Sequence, residues 1–463
     1  MSKKKKTVPA VAARIANVGQ ARAWAAARGV SEIECLVPDL AGVARGKIMP
    51  SSKFFDDTAM ALPSSIFMQT ISGEYPEEDA EFRYDPSDGD IELRPDFSTL
   101  CAVPWASDPT AQVIHDAVYH DGRPVEIAPR QVLKRVIDLY HEQGWTPVVA
   151  PELEFYLVKR NIDPDYPLEP PIGRSGRAEA GRRSYSISAV NEFDAVFEDI
   201  YAFAEAQALE VDTLIHEEGA AQMEINLRHG DPLALSDQVF LLKRTIREAA
   251  LKHDIYATFM AKPIAHEPGS AMHIHQSVLS TKTGENIFTD TEGRATGEFF
   301  QFLAGQQRFV PAVTCMLAPY VNSYRRLVKG VSAPVNVQWG YDNRTTGLRI
   351  PPSSPANRRV ENRVPSSDAN PYLAMAASLA CGYLGLTHRL TPGEPVSGSA
   401  RGDEFDLPVG LLEAVGLFEE TEELSEIFGR GFVSTFAAVK RAEFATFMRV
   451  ISPWEREFLL LNV

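Results

Sequence analysis

The sequence has few of the features that mark secreted or membrane-spanning proteins. Its four cysteines, Cys35, Cys101, Cys315 and Cys381, are widely separated, and this spacing predicts neither a disulfide framework nor a zinc knuckle. The N-terminus lacks the apolar run of a signal peptide, and no segment supplies the roughly 20 apolar residues that cross a bilayer. The longest apolar segment, Tyr372–Leu386, is predicted to be a buried helix. We therefore expect a cytoplasmic protein that does not associate with a membrane.

Positive charge is also scarce. The 62 acidic residues outnumber the 46 lysines and arginines and give a formal net charge of -16, which argues against nucleic acid as a partner. Positive residues cluster in Lys3–Lys6, a run predicted to be a solvated tail. A phosphate-binding loop is missing as well, because the most similar segment, Gly176–Arg183, lacks the Lys-Ser/Thr ending of that motif. A nucleotide, if the protein uses one, must be bound by other elements.

The length and the helical pattern predict two domains. The chain has 463 residues, more than the roughly 250 to 300 at which a single hydrophobic core stops growing. We predict a tail and first helix over residues 1–30, a small domain of short strands over 31–122, and a larger domain of helices and strands over 123–463. The helices predicted in the larger domain are Pro129–Gln143, Glu192–Gln207, Ser236–His253, Glu298–Met316, Pro371–Leu390 and Val433–Met448.

Acidic residues recur at a spacing of two in a segment that favours a strand. In Val148–Leu157, Glu152 and Glu154 project from one face while apolar residues project from the other. Two neighbouring carboxylates repel each other, and burying both is costly unless a cation neutralises them. A buried pair of this kind therefore indicates a metal site, although this segment taken alone is more often a solvent-facing edge strand.

Three further segments favour the metal site. They contain Glu217 and Glu224 around a Gly-containing turn, His273 and His275 at a spacing of two, and Arg359, Glu361 and Arg363 on one face of a short strand. If these faces converge, the donors are mostly oxygen atoms, which favours magnesium or manganese over zinc. There are more carboxylates than one ion needs, so we expect two or three ions. A single histidine is usually a hydrogen-bonded core residue, and the role of His273 depends on this convergence.

The same segments resemble the successive motifs of the glutamine synthetase family, in the family's order, from about residue 32 to 460. The motifs are Pro151–Phe155, His216–Glu217 with Gln222–Glu224, Gly269–His275, Asn322–Leu327, Asn343–Arg344, Arg359–Arg363 and Ala369–Leu373. The resemblance implies an α+β fold with a small N-terminal β-grasp domain. It implies a larger catalytic domain with a curved antiparallel sheet flanked by helices, of the glutamine synthetase/guanido kinase-like type. It also implies self-association into a double hexameric ring, a homododecamer.

The resemblance also implies the roles of individual residues. Metal ligands are expected at Glu152, Glu154, Glu217, Glu224, His273 and Glu361, for two to three Mg2+ or Mn2+ ions per active site. Glutamate contacts are expected at Gly269, Arg326 and Arg363, and ATP contacts at His275, Ser277, Arg344, Arg349 and Arg359. Catalytic roles are expected for Glu217, Arg344, Arg359 and Ser332. In such enzymes ATP converts a carboxylate into an acyl phosphate, from which an amine displaces phosphate.

Departures from the family pattern concern the pocket for the amine, where we place Leu62, Ser65, Tyr185 and Ser332. Leu62, which a neighbouring subunit would supply, and Ser332 occupy positions where the family normally has Asp and Glu. Loss of two carboxylates disfavours a small hydrated cation and leaves room for an alkyl group. Phe405 stands where adenylylated members have a tyrosine, so that modification is not expected. The pattern resembles γ-glutamylpolyamine and γ-glutamylputrescine synthetases.

We therefore predict an ATP-dependent ligase that joins glutamate to an organic amine through a γ-glutamyl phosphate, with putrescine or a polyamine preferred. A small monoamine such as methylamine or ethanolamine is one alternative, and glutamine synthesis from ammonia is another. A non-catalytic relative that forms the ring is a third alternative, although it would not need all six metal-ligand positions. The acidic run Glu74–Glu81 is either a solvated loop or a site that attracts the distal charge of a diamine.

Overall fold

The computed structural model describes residues 15–77, 87–329, 333–400 and 406–463. The predictions made for Lys3–Lys6, Ser332 and Phe405 lie outside the described residues, and so does part of the acidic run Glu74–Glu81. Within the described part of the chain no helix is both long and apolar enough to cross a membrane.

The N-terminal part contains two short helices, α1 (Val18–Ala27) and α2 (Ser51–Asp56), and a six-stranded sheet. The strands are β1 (Glu32–Pro38), β2 (Ala44–Pro50), β3 (Met60–Pro63), β4 (Asp90–Pro95), β5 (Cys101–Ala102) and β6 (Thr110–Val118). Their order is β2-β1-β6-β4-β3, and β5 also pairs with β6. The β1–β6 pair is parallel, whereas the other pairs are antiparallel. This sheet is the predicted N-terminal β domain.

The larger part is built around an eight-stranded sheet. Its strands are β7 (Trp145–Lys159), β8 (Val211–His216), β9 (Gln222–Leu227), β10 (Ile255–Thr258), β11 (Met272–Ser280), β12 (Trp339–Tyr341), β13 (Leu348–Ile350) and β14 (Val360–Asn362). The order is β12-β13-β14-β11-β7-β9-β8, and β10 pairs with β7. All pairs are antiparallel except β12–β13, which is parallel, so the sheet is mixed at that edge.

Helices pack on this sheet and on one another. They are α3 (Pro129–Glu142), α4 (Ile187–Val190), α5 (Asp194–Ala206), α6 (Pro232–Lys252), α7 (Gly297–Leu317), α8 (Val321–Tyr324), α9 (Pro371–Thr387), α10 (Leu411–Glu420), α11 (Glu422–Phe428), α12 (Arg430–Phe447) and α13 (Pro453–Phe458). Each of the six predicted helices is present with shifted ends. Helix α6 begins earlier than predicted, at Pro232, because the Asp231 side chain accepts a hydrogen bond from the Ala234 N–H and caps it.

Helices α7 and α9 pack with their backbones in direct contact. A Cβ atom on Gly305 would lie 2.1 Å from the Cys381 carbonyl oxygen, and one on Gly385 would lie 2.1 Å from the Gln301 carbonyl oxygen. Only glycine allows this approach. Helix α9 is buried along nearly its whole length, which confirms the prediction for the apolar segment. The closely packed helices α7 and α9 contact the strands of the large sheet.

A buried arginine joins the two parts of the molecule. Arg130 in α3 is 2% exposed and donates two hydrogen bonds to Asp237 in α6, at 2.9 and 2.7 Å. It also donates to Asp116 in β6, at 2.7 Å, and to Asp96, at 2.8 Å. Because a buried charge without partners is strongly destabilising, this network favours one fixed placement of the small sheet against the large one.

Candidate active site

The register of four central strands brings the predicted ligands side by side. Glu152 lies opposite His273 on β11, and Glu154 lies opposite Glu224 on β9. His275 lies opposite Glu361 on β14. Directly opposed side chains in antiparallel strands have Cβ atoms about 5 Å apart, so these residues form three neighbouring pairs on one face of the sheet. The alternate residues Leu153 and Phe155 are completely buried on the other face, as the period of two predicted.

This face of the sheet borders a cavity of about 1030 Å³. The predicted site residues that line it are Glu152, Glu154, Tyr185, Glu217, Glu224, Gly269, His273, Arg326, Arg344, Arg349, Glu361 and Arg363. Segments that are far apart in the sequence therefore converge on one space. The convergence favours the buried metal site over the exposed edge strand that the Glu152 segment alone would also have explained.

Glu152 is central to a cage of carboxylates and imidazoles. Its two oxygens lie 3.3 Å from His273 Nδ1 and 2.8 Å from His275 Nε2. One group of Glu152, His275 and Glu361, and another of Glu152, Glu224 and His273, each place a donor atom from every member within 4.8 Å of the others. Hydrogen bonds from the two histidines outweigh the effect of burial and lower the pKa of Glu152.

The remaining carboxylates of the cage repel one another. Burial, followed by the charge of Glu217, raises the pKa of Glu154 to about 8. Burial and the charges of Glu152 and Glu154 raise the pKa of Glu224 to about 10. Bound divalent cations would neutralise this repulsion and stabilise the ionised carboxylates. The oxygen-rich donor set therefore fits Mg2+ or Mn2+.

Asn226 adds an acceptor that is not among the predicted site residues. It lines the cavity, lies opposite Glu152 in the strand register, and is two residues from Glu224 on β9. Its Oδ1 atom is buried and has no hydrogen-bond partner among the described residues. A neutral amide oxygen in this position suits a cation or a cation-bound water. The spacing of two from Glu224 is the sequence signal that places Asn226 on this face, because alternate residues of a strand share a face.

Arginines surround Glu361. Arg349 and Arg363 each donate a hydrogen bond of 2.6 Å to one of its oxygens, and Glu361 itself is 1% exposed. Burial opposes ionisation, but His273 and Arg363 outweigh it and lower the pKa of Glu361 to about 2. Arg359 Nε donates to His275 Nδ1 at 3.2 Å. His275 thus links Arg359 to Glu152.

Arg326 lines the cavity and also forms hydrogen bonds with the backbone. It is 2% exposed and donates to the carbonyl oxygens of Val364, at 2.8 Å, and Arg363, at 3.0 Å. Gly269 packs directly against it, since a Cβ atom there would lie 2.5 Å from Arg326 Cγ. The requirement for glycine is therefore steric: it allows the Gly269 backbone to lie beside this guanidinium.

The other predicted residues lie away from the cavity. Ser277 is on β11 beyond His275, on the same face. Leu62 belongs to β3 of the small sheet, and the Ser65 hydroxyl donates to Asp88 Oδ2 at 2.8 Å. Neither Leu62 nor Ser65 is among the residues that line the cavity of this one chain. Their expected delivery by a neighbouring subunit stays a prediction.

Comparison with known proteins gives the family of this chain. Residues 126–459 match the family model described as glutamine synthetase, catalytic domain. The chain belongs to the glutamine synthetase family. It is accordingly an ATP-dependent enzyme of the glutamate–amine ligase class, and the resemblance seen in its motifs is confirmed. Enzymes of this family use divalent metal ions, with which the cage around Glu152 is consistent.

Three relatives illustrate the similarity. Gamma-glutamylputrescine synthetase PuuA from Escherichia coli (strain K12) is 38% identical over 437 residues, covering 93% of this chain and 92% of that protein. Glutamate–isopropylamine ligase from a Pseudomonas species is 33% identical over 430 residues, covering 90% and 92%. A solved GmaS/ADP complex has a TM-score of 0.81 at 28% identity, covering 96% of this chain and 100% of that one. The last match confirms the α+β architecture.

Proposed function

We propose that this family member joins the side-chain carboxyl group of glutamate to an organic amine, through a γ-glutamyl phosphate formed from ATP. Putrescine or a polyamine is the proposed acceptor. One observation supports this proposal above the others: a single cavity combines the carboxylate–imidazole cage, several arginines, and an acidic turn formed by Glu217 and Glu218. The similarity to ligases whose names specify putrescine and isopropylamine agrees with an organic amine.

The cage residues are the proposed metal ligands. They are Glu152, Glu154, Glu217, Glu224, His273 and Glu361, and they offer enough oxygen donors for two to three Mg2+ or Mn2+ ions. Such ions, when bound, neutralise negative charge on the polyphosphate and the transferring group. Arg363 and Arg349 hold Glu361 ionised and fix its two oxygens, so this ligand is preorganised.

Arginines are proposed to bind the two anionic substrates. Arg344, Arg349 and Arg359, with His275 and Ser277, would contact ATP, because guanidinium groups match phosphate oxygens and stabilise charge during transfer. Arg363 and Arg326, with the backbone of Gly269, would bind glutamate. Arg363 Nε is buried and has no hydrogen-bond partner among the described residues, so this N–H is available to a substrate carboxylate.

The turn with Glu217 and Glu218 is the proposed amine end of the cavity. Tyr185 lines the same region, and Arg182 pairs with Glu218 at 2.5 Å. Glu217 is the proposed contact for the reacting nitrogen. A diamine brings a second ammonium group, whose burial is costly without a carboxylate partner. Glu218 is the proposed partner of this second ammonium group, which would replace Arg182 beside it. This contact would favour a diamine over a monoamine.

Two amines of equal length test this proposal. Putrescine and n-butylamine differ only in the distal amino group, and phosphate release with glutamate and ATP measures both. The wild-type enzyme is expected to favour putrescine. A hydrogen bond to a charged group contributes about 1.5 to 3 kcal/mol, so Glu218→Gln should lower kcat/KM for putrescine about tenfold or more. The same change should leave kcat/KM for n-butylamine almost unaffected.

The alternatives predict different outcomes. Faster turnover with ammonium would favour glutamine synthesis, and equal use of n-butylamine or methylamine would favour a monoamine ligase. Absence of phosphate release with every amine would favour a non-catalytic relative. An unchanged preference for putrescine in Glu218→Gln would refute the role of Glu218 while leaving the ligase itself intact.

Self-association is proposed as well, in the form of a double hexameric ring. Large apolar side chains are exposed near the C-terminus, including Val450 at 62%, Ile451 at 61%, Trp454 at 61%, Leu460 at 74% and Leu461 at 92%. A patch of exposed apolar groups usually marks an interaction surface, and these side chains are proposed to form one. Light scattering should give a mass twelve times that of one chain. In the ring, Leu62 and Ser65 of a neighbouring subunit would reach the amine pocket. The enzyme is proposed to be cytoplasmic.

A further inference from the structure

Two carboxylates that do not line the cavity contact the acidic turn of residues 217–221: Glu267 accepts a long hydrogen bond from the Ala220 N–H, at 3.4 Å, and Glu179 makes the shorter contacts. Glu179, in the loop before α4, accepts a hydrogen bond at Oε2 from the Ala221 N–H, at 2.8 Å. The same oxygen lies 3.0 Å from Nε2 of His216. His216 precedes the turn and Ala221 ends it. Glu179 therefore contacts both ends of the segment that contains Glu217 and Glu218.

The contacts extend into the turn itself. His216 Nδ1–H donates to the carbonyl oxygen of Glu217 at 2.7 Å, and the Glu217 N–H donates to the carbonyl oxygen of Gln222 at 2.8 Å. The side chains of His216 and Glu179 are 0% and 6% exposed. Hydrogen bonds screened from water in this way are stronger than those on the surface. They connect Glu179 through the imidazole to the backbone of Glu217.

Backbone strain is concentrated in the same place. Ala221 has a φ of +57° and Tyr185 a φ of +63°, in the left-handed region that residues with a Cβ atom rarely adopt. The N–H of Ala221 is bonded to Glu179, and the N–H of Tyr185 donates to the carbonyl oxygen of His216 at 2.9 Å. Strained residues persist only where neighbouring contacts hold them. The carbonyl oxygen of Ala221 accepts from the Leu157 N–H at 3.0 Å, whereas the N–H groups of both strained residues are held by Glu179 or His216.

The arrangement also has a cost. Glu179 Oε1 is buried and has no hydrogen-bond partner among the described residues. Burying a carboxylate oxygen without a partner is unfavourable. On the cavity side, Glu217 meets the like charges of Glu152 and Glu154, which push the turn away from the cage. Glu179 holds the turn against this repulsion, and this stabilisation offsets the cost of burying its Oε1 atom without a partner.

We propose that Glu179 is a positioning residue, which acts through His216 and Ala221 to hold Glu217 towards the metal ions and Glu218 towards the amine. The loop that contains Glu179 also supplies Arg182 and Tyr185 to the cavity. Movement of this loop therefore changes the metal ligand and the amine end together. The inference depends on the metal-ligand role proposed for Glu217.

The test compares three variants of the full-length enzyme by Mn2+ binding without substrates, measured from the electron paramagnetic resonance signal of free Mn2+. Glu179→Ala removes both contacts and should weaken Mn2+ binding about 10- to 100-fold, as for other residues that orient metal ligands. Glu179→Gln keeps an oxygen for the Ala221 N–H and should lose less. Glu169→Ala is the matched control, because Glu169 lies in the same loop but pairs with Lys159 on the surface.

A second measurement separates positioning from stability. The Michaelis constant for the amine should rise in Glu179→Ala and recover in part in Glu179→Gln, which loss of stability alone would not produce. Mn2+ binding as tight in Glu179→Ala as in wild type would overturn the inference. If Glu179→Ala does not fold, the Glu179→Gln variant decides: Mn2+ affinity and an amine KM equal to those of the wild type would overturn the inference. A wild-type enzyme that binds no Mn2+ would instead remove the proposed metal site, and the inference with it.

Discussion

Replacing a single cage carboxylate by its amide should have opposite effects on the metal-free protein, depending on which carboxylate is changed. Glu361 and Glu224 are both buried, at 1% and 6% exposure, and both face the cavity. Glu361 is surrounded by positive charge, whereas Glu224 is surrounded by negative charge. Glu361→Gln is therefore expected to destabilise the metal-free fold, and Glu224→Gln to stabilise it.

The pKa of Glu361 gives the size of the first effect. It falls from 4.5 to about 2 on folding, and each pKa unit corresponds to about 1.4 kcal/mol, so the ionised group stabilises the fold by about 3 kcal/mol at pH 7. This contribution is present above about pH 4.5 and is lost as the pH falls towards 2. In Glu361→Gln, Arg349 and Arg363 would also lose their charged partner.

Ionisation of Glu224 has the opposite effect on the stability of the fold. Its pKa rises from 4.5 to about 10, so the stability of the fold declines as the pH rises from 4.5 towards 10. At pH 7 the decline amounts to about 3 kcal/mol, because the group must take up a proton when the protein folds. An amide needs no proton, and Glu224→Gln removes most of this cost.

Thermal unfolding in EDTA at pH 7 would measure both effects. A change of about 3 kcal/mol corresponds to several degrees in Tm. Glu169→Gln, at an exposed position, serves as the control and should leave Tm nearly unchanged. Addition of Mg2+ should raise the wild-type Tm more than that of either cage variant. A shift of Tm in the same direction for Glu361→Gln and Glu224→Gln would refute the electrostatic reasoning.

Two further changes test the substrate pockets. Gly269→Ala would place a Cβ atom 2.5 Å from Arg326 Cγ and should raise KM for glutamate at least tenfold in steady-state assays, because the guanidinium must move; an unchanged KM would separate Gly269 from the glutamate site. Leu62→Asp combined with Ser332→Glu restores two carboxylates and should raise kcat/KM for ammonium relative to putrescine; no gain would mean that the amine pocket lies elsewhere.

Local patterns were sufficient to predict much of the fold. The period of two placed Glu152 and Glu154 on one face, and β7 has them there because alternation is a property of any strand. The apolar segment around Leu373 forms a helix that begins at its predicted start, Pro371. Helix ends were less predictable: α12 begins at Arg430, three residues before the expected Val433, at the positive φ of Gly429. Such ends depend on caps and on neighbours.

Other features depended on contacts between distant segments. Glu179 and His216 are separated by 37 residues, and no repeat or motif relates them. Arg326 matched a glutamate-binding position in the family pattern, yet nothing in the sequence indicated that it also bonds two backbone carbonyls. The partnerless Oδ1 of Asn226 became visible only when its neighbours across the strands were known.

The sequence by itself determined which side chains are available and which face of each element they share, because backbone geometry imposes the periods of strand and helix. The tertiary structure decided their mutual distances. A shift of one residue in the pairing of β7 with β11 would move His273 away from Glu152 and leave both carboxylate and imidazole in different surroundings. Helix α9, which packs against β11, lies more than 200 residues from Glu152 in the sequence, and contacts between such distant segments are not encoded in any local pattern.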